Sequence, residues 1–295
     1  MAQKKQLGED ISINNDFNML TRSYQQQAVG QINFARYSVV GSREYIHDIS
    51  DVFGNVQSSY KNLLLRKNIK SIVKKNGKDV WVLITANNKL YGDIIQKICR
   101  LFAENVKKSD PKKIDLIIIG RQGKEFFNTL DLDIPYKYFE LPDMNVSVDY
   151  LKEICQNFIL YENVIVYYGK FNNIISQSPV AVSISGEVID ENTKLTQNQQ
   201  ASQKSKKAAF IFEPSIEEII VFFENQILSL LLNQTVQEAQ LARFASRINA
   251  MEIAQGNIQK QLNLLSKEEK LLKNMDMNKK QLELLAGRRL WGARK

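Results

Sequence analysis

The stretch LARFASRINAMEIAQGNIQKQLNLLSKEEKLL (241–272) decides the fold. Positions 241, 244, 248, 251, 255, 258, 262, 265, 269 and 272 read Leu, Phe, Ile, Met, Gln, Ile, Leu, Leu, Glu and Leu. This 3,4 spacing returns to one helix face every seven residues, as a coiled-coil seam requires. Leu264, Leu271, Met275, Leu282 and Leu285 carry a second stripe on a shifted face. After Pro214 there is no proline, and the only glycines are Gly256, Gly287 and Gly292. The spacing therefore predicts one helix over about 215–286, roughly 100 Å long at 1.5 Å per residue. No small domain can cover that length, so the seam needs a partner.

The partner lies at the other end of the chain. Residues 28, 32, 35, 39, 42, 46, 49, 53 and 56 read Ala, Ile, Ala, Val, Ser, Ile, Ile, Phe and Val, again with 4,3 spacing. Ser12 reads as an N-cap and no proline precedes Pro111, which predicts a helix over about 12–66. Two heptad helices at opposite ends of one chain pair antiparallel. Between them the rhythm changes to strands and helices. VWVLITA (80–86), DLIIIG (115–120) and ENVIVYYG (162–169) are short β-branched runs, with helices expected at 91–108 and 148–160. A further strand pair is expected at 174–189, followed by a polar, aperiodic loop at 191–207. The fold class is α/β: an antiparallel coiled coil of long N- and C-terminal helices with a central Rossmann-like α/β domain. The segments are 1–66, 67–212 and 213–295, and together they read as a knob on a rod.

Composition bounds the chemistry. The 295 residues are 44% hydrophobic and 24% charged, which excludes a disordered, collagenous or disulfide-scaffold chain. The single histidine, His47, stands beside Asp48 in the N-terminal helix and excludes a His-clustered metal site. Cys99 and Cys155 fall in expected helices and read as buried thiols in a reducing compartment. No GxxxxGK[ST] or GxGxxG motif occurs; NNKLYGD (87–93) follows a strand as such a loop would, but Gly92 is its only glycine. Glu217-Glu218 and Glu268-Glu269 read as solvated helix faces. The expectation is no catalytic residue, no metal and no cofactor. No apolar leader follows MAQKKQLGED, and the greasiest segment (216–232) is broken by Glu217, Glu218, Glu224, Asn225 and Gln226, so no membrane span is expected and the chain reads as cytoplasmic. The net charge is +8, and residues 258–295 hold ten Lys/Arg against four Asp/Glu, so the basic end calls for an acidic partner surface. Aromatic interleaving is absent there, which disfavours nucleic acid.

Particular segments also resemble a family. RFASRINAMEIAQGN (243–257) resembles the SEhaARMxAMxxAtxNA signature of the gamma subunit of F-type ATP synthases, with Arg247, Asn249, Ala250, Met251, Ala254 and Asn257 in matching places. Counting back, Glu238 falls on the family's glutamate and Glu213-Pro214 on the EP of its YxxEP entry to the long helix. KFNNIISQSP (170–179) is similar to KFxNxxxQxP, and IIIGRQGKEFF (117–127) to VGxKGxxFF, with Gly120, Gly123 and Phe127 in register. Leu20-Thr21 and Arg43-Glu44-Tyr45 align with the family's IT and RPY. The departures are specific. NNKLYGDII replaces DRGLCGGLN, placing Lys89 and Asp93 at glycine positions, and LTRSYQQQAVGQ (20–31) lacks both methionines and the lysine of ITxAMxMVAAxK. Arg243 stands where the family has the acid of its SE pair. Beyond Gly287 the tail reads RRLWGARK rather than small apolar residues, so the chain looks like a divergent member.

The resemblance implies a non-catalytic central stalk inside a hexamer of alpha and beta subunits, coupling rotation to ATP synthesis or hydrolysis. It further implies an epsilon-like subunit and a membrane rotor ring as partners, and a location peripheral to a membrane through the complex. Lys273-Asn274 fall where the family has an Arg-Gln pair that bonds a catalytic subunit; lysine keeps the charge without the bidentate fork. Met275, Leu282, Leu285, Leu290 and Trp291 are expected to run in an apolar sleeve, and Lys273, Lys279, Lys280, Arg288 and Arg289 to meet acidic loops. The alternative is the stalk of a specialised F-type-like ATPase motor not coupled to proton transport.

Overall fold

A computed structural model describes residues 2–67, 75–130, 134–144, 146–184 and 216–292, with side chains described for these except 2, 3, 37–40, 42–47, 50–67, 216, 217, 219–221, 223, 224 and 287–292. The elements are α1 (Ala2–Lys67), β1 (Asp79–Ile84), α2 (Ile94–Lys108), β2 (Ile114–Ile119), α3 (Arg121–Asn128), β3 (Tyr136–Phe139), α4 (Val148–Gln156), β4 (Val164–Phe171), β5 (Gln177–Ser183) and α5 (Ile216–Gly292). Residues 1–28 with 248–295 form one compact unit and residues 29–247 another. The expected loop at 191–207, the far end of the 174–189 strand pair, Glu213-Pro214, and the side chains of Arg43, Glu44, Tyr45, His47, Arg288, Arg289, Leu290 and Trp291 lie outside the described residues.

The first unit is a two-helix coil. Gln255 donates a side-chain hydrogen bond to Gln25 at 2.8 Å, and Lys4 pairs with Asp276 at 3.8 Å. Twenty-one residues separate the two contacts on each helix, one rising as the other falls, so the strands of the coil are antiparallel and in constant register. On α5 the covered positions are the expected ones: Met251 is buried, and Gln255, Ile258, Leu262, Leu265, Glu269 and Leu272 are half-buried. On α1 the seam extends the 28–56 stripe backwards through Leu7, Ile11, Asn14, Asn18, Thr21, Gln25 and Ala28. Helix α1 therefore does not begin at Ser12, as the cap signal suggested, but at Ala2, because the heptad continues through Leu7 and Lys5 pairs with Glu9 one turn on at 3.9 Å. Likewise α5 runs past 286 to Gly292; Gly287 does not end it.

The second unit is a five-stranded sheet of order β3-β2-β1-β4-β5. The pairs β1–β2, β1–β4 and β2–β3 are parallel, and β4–β5 is antiparallel. The 3-2-1-4 order is the Rossmann half-sheet, in which the direction of winding reverses between β1 and β4. Helices accordingly cover both faces. Val80, Val82, Ile84, Ile117, Ile119, Val164 and Val166 pack with α4 (Leu151, Ile154, Cys155) and α5 (Leu232, Val236, Ala239). On the face of opposite parity, Phe102 of α2 stacks edge-on against Tyr167 with ring centroids 5.1 Å apart, and Phe127 of α3 meets Phe102 and Tyr136 at 6.2 and 5.2 Å. Strands buried on both faces explain the near-continuous apolar runs of β1 and β2.

Several expectations change. Helix α3 and strand β3 were absent from the sequence reading; α3 is eight residues with a glycine inside it, and β3 is a four-residue edge strand. The expected helix 148–160 stops at Gln156, and the expected 91–108 starts at Ile94. In 174–189 the described part holds one strand, β5, a hairpin partner of β4. The turn between them is set by Asn173, whose Oδ1 accepts from the backbone N–H groups of Ile175 and Ser176. Both thiols are buried, as expected; burial pushes Cys99 up to about 12 and Cys155 up to about 11.

Five outcomes follow for the isolated chain. A Cβ on Gly123 would come within 2.8 Å of Thr85 Oγ1, so Gly123→Ala should cost about 1–3 kcal/mol. Gly256, a helical glycine with open space around it, should gain about 1 kcal/mol when made alanine; urea unfolding of both variants checks the opposite signs. Asn18→Leu on the polar part of the α1 seam should raise stability by about 1 kcal/mol and the melting temperature by about 2–4 °C. Cys99 and Cys155 should resist a thiol reagent in the folded chain at pH 8. Because folding raises both thiol pKa values, their stabilising contribution is complete below the unfolded thiol value and is lost between there and pH 11–12, so the urea midpoint should fall over that window.

Candidate functional site

Two surfaces carry the sequence-selected residues. The first is the crevice at the carboxyl ends of β1 and β4, where a doubly wound sheet holds its ligand. Here the crevice is closed by protein. Arg243 of α5, only 3% exposed, donates from Nη1 to the carbonyl oxygen of Thr85 at 2.7 Å. Arg247, one turn on, donates from Nε and Nη2 to the carbonyl oxygens of Leu90 and Lys89 at 3.2 and 3.1 Å, and its guanidinium carbon lies 3.9 Å from the centroid of the Tyr91 ring. Opposite them, the Asp143 carboxylate accepts from the backbone N–H groups of Asn87 (2.9 Å) and Asn88 (2.8 Å) and from the Tyr91 hydroxyl (3.2 Å). Burial, and then the Asp143 charge, raise the Tyr91 pKa. Burial pulls Arg243 below its ordinary value, with Asp143 opposing.

A phosphate cradle needs free backbone donors at the loop after β1 and at the following helix start. In this chain the first donors of that loop, those of Asn87 and Asn88, are taken by Asp143, and the start of α3 is tied to the same strand end. Besides Asn87 and Asn88, the N–H of Arg121 goes to Asn87 Oδ1, that of Gln122 to Ala86 O, and that of Gly123 to Thr85 Oγ1. The Thr85 hydroxyl donates in turn to Ile119 O at 2.7 Å, stitching β1, β2 and α3 together. Gly120 (φ 97°) is forced by this junction, since a Cβ there would lie 2.7 Å from Thr85 Oγ1. The glycine losses noted at 89 and 93 leave the turn intact, because the left-handed residues of the loop are Leu90 (φ 70°) and Gly92 (φ 65°), while Asp93 has φ −96°.

Of the signature residues, Glu238 and Arg247 are buried in this unit, and Glu238 Oε2 accepts from the Tyr168 hydroxyl of β4 at 3.0 Å. In the coil, Met251 is buried, Asn249 half-buried and Asn257 exposed. Sequence reading marked Arg243 only as a departure, and it missed Asp143 and Tyr91 altogether. The structure brings Arg243 and the altered 87–93 loop into one contact, so two separate departures share one place.

The second surface is the outer face of α5. Met275 and Leu282 are each 66% exposed and Leu285 60%, and Lys273, Asn274, Lys279 and Lys280 are exposed as well. At 100° per residue, Leu264, Leu271, Met275 and Leu282 fall within roughly 40° of one another, whereas Lys273 and Lys280 stand roughly 160–180° away. The expected contact residues thus occupy two faces of one helix. Lys273 pairs with Glu269 on the seam edge at 2.7 Å, and that ammonium lowers the Glu269 pKa. A matching exposed stripe on α1, Ile13, Phe17, Leu20 and Tyr24, was legible from its 4,3,4 spacing but was not read. Among the described residues no group of three or more His, Cys, Asp or Glu side chains is placed to hold a metal, and no helix is long and apolar enough to cross a membrane.

Comparison with known proteins agrees with this architecture. A family profile described as ATP synthase (ATP-synt) matches residues 4–271. The ATP synthase gamma chain of Mesoplasma florum is 24% identical over 87% of this chain and 87% of its own length, and that of Bdellovibrio bacteriovorus is 24% identical over 97% and 98%. In fold, the chain is similar to one in the Tetrahymena thermophila mitochondrial ATP synthase central stalk and c-ring (TM-score 0.57, 17% identity, 80% of this chain and 99% of that one). A chain of the Euglena gracilis mitochondrial ATP synthase gives TM-score 0.54 at 17% identity, over 90% and 95%. The match to nearly the whole length, on a chain with this sheet and these paired helices, shows that it belongs to the ATP synthase family, among relatives that are gamma chains.

Proposed function

We propose that the chain is the central-stalk rotor subunit of an F-type ATP synthase or ATPase, a non-catalytic part that couples rotation to nucleotide turnover on alpha and beta subunits. The observation that carries this reading is the antiparallel coil in which α5 keeps a second, exposed apolar stripe after its seam is covered. A helix needs one apolar face to pair; a second one at Leu264, Leu271, Met275 and Leu282 needs another surface to run against. Because the stripe and the lysines Lys273 and Lys280 lie on different sides, with Lys279 beside the stripe, α5 is asymmetric about its long axis. Three otherwise equivalent neighbours then meet three different patterns of charge and apolar surface, and each pattern favours one state of the neighbouring nucleotide site. Turning the coil moves the patterns round.

In this reading Met275, Leu282 and Leu285 run in the apolar sleeve of the hexamer, and Lys273, Lys279 and Lys280, with Arg288 and Arg289, face acidic loops of the catalytic subunits. The segments 1–66 and 213–295 supply the shaft, and 67–212 supplies the part that an epsilon-like subunit and a membrane rotor ring bind, which makes the chain peripheral to a membrane through its complex. The Lys273-Asn274 pair in place of Arg-Gln, and the altered 20–31 stretch, also suit a second reading, the stalk of an F-type-like ATPase motor that drives no proton flow.

Co-expression with alpha- and beta-type subunits, followed by sizing and an ATPase assay, tests the proposal. One copy of this chain per three catalytic sites in a hydrolysing complex is the expected result, and absence of any such complex sinks it. A proton-channel ring co-purifies with membrane extracts under the first reading and does not under the second. Lys273→Ala with Asn274→Ala should lower torque or ATP turnover by about tenfold, the loss of one charge-assisted contact; unchanged turnover and torque remove both residues from the coupling surface.

A further inference from the structure

Helix α5 buries three ionisable side chains within ten residues, and ties them to strand β4, to the residue that follows β1 and to the β1–α2 loop. Glu238 accepts from Tyr168 on β4 at 3.0 Å, Arg243 reaches Thr85 O at the end of β1 at 2.7 Å, and Arg247 holds Lys89 O and Leu90 O at 3.1 and 3.2 Å. Buried charge is costly, and volume-matched apolar side chains would bind the helix to the sheet without it. Apolar contact lacks direction, however. A helix seated on an apolar surface turns or slides against a shallow gradient, while a charge-assisted hydrogen bond weakens steeply once its length and angle change. The residual cost is visible in Arg243, whose Nε is buried with no hydrogen-bond partner among the described residues while Nη1 keeps its contact to Thr85 O.

We propose that Arg243 and Arg247, charge-compensated by Asp143, form a clamp that locks α5 against rotation about its own axis on the end of the sheet. They are positioning residues, and the clamp rests on the central-stalk reading, in which torque arriving along α5 must reach the sheet without slip. The network closes on itself. The two guanidinium groups grip the 85–91 segment from the helix side, and Asp143 grips the N–H groups of Asn87 and Asn88 in the same segment from the β3–α4 side.

The test is the double variant Arg243→Met with Arg247→Met, which keeps apolar length and removes the charge. In the assembled complex a bead is attached through Ile175→Cys on the sheet side, a site 85% exposed, or through Phe222→Cys on α5, 63% exposed; Cys99 and Cys155 are buried and do not compete. With the bead at 175 the stall torque should fall at least about twofold, with the bead at 222 it should not change, and unloaded hydrolysis should be unaffected. Equal loss at both attachment sites, or no loss at 175, overturns the clamp. If the unsubstituted chain neither assembles nor rotates, it is the stalk reading that fails, and hydrogen exchange on the isolated chain still decides the clamp. The variant should then exchange the Asn87 and Asn88 amides about tenfold faster with β1 and β4 unchanged. Unaltered exchange in the loop, or acceleration through the whole sheet, overturns it.

Discussion

The constraint on which the structure depends is the 3,4 repeat of α5. A 77-residue helix with an apolar seam leaves that seam in water unless it is covered along its length, and the repeat dictates that the cover be another helix with the same period. Helix α1 supplies it in the coil, but with an uneven seam: Leu7, Ile11 and Ala28 are apolar, while Asn14, Asn18, Thr21 and Gln25 are not. Polar seam positions cost stability and fix register, and the Gln25–Gln255 hydrogen bond pairs two of them at one level. A coil built this way tolerates sliding poorly, since a shift of one heptad would separate the paired amides and set Lys4 away from Asp276.

The same helix changes character in the sheet unit, where it is buried on most sides between Leu241 and Arg247. There it occupies the crevice that the 3-2-1-4 strand order would otherwise leave for a ligand. The donors of the β1–α2 loop meet an internal carboxylate, Asp143, and the carbonyls at 85, 89 and 90 meet internal guanidinium groups. A Rossmann-like topology is thus used as a mounting for a helix. Fold and binding capacity separate cleanly here, because topology makes the crevice but side chains decide what fills it.

What was legible in the sequence follows from how far each signal reaches. The seam positions from 251 to 272 were read residue by residue, since periodicity is a local property repeated many times. Strands β1, β2 and β4 were found within two residues because burial on both faces makes them continuous apolar runs. Strand β3 and helix α3 escaped, one for shortness and the other because RQGKEFFN carries a glycine and little apolar content. Asp143 could not be found at all. Its role depends on partners more than fifty residues away in the chain, and nothing around LPDMN distinguishes it from a solvated loop acid. The start of α1 was misplaced because Ser12 imitates a cap, and a cap signal loses to a heptad that continues through it.

The departures from the family pattern fall on buried and exposed positions alike: Gln31 and Arg243 are buried, Lys273 and Asn274 exposed. Glu238, Arg247 and Met251, which resemble the family signature, are buried, and Glu238 and Arg247 are each bonded to neighbours within this chain, whereas Asn257, which resembles it too, is exposed. At Arg243 the buried positive charge is opposed by burial and favoured by Asp143. Lys273 and Asn274 are exposed, and among the described residues Lys273 makes one ion pair, a local one with Glu269, so divergence there costs this chain's fold little. Whatever selects those residues acts from outside the chain. If the central-stalk proposal holds, a surface that is free to vary in folding and yet keeps an apolar stripe beside it is shaped by the subunits it would run against, and the matching change is to be sought on them.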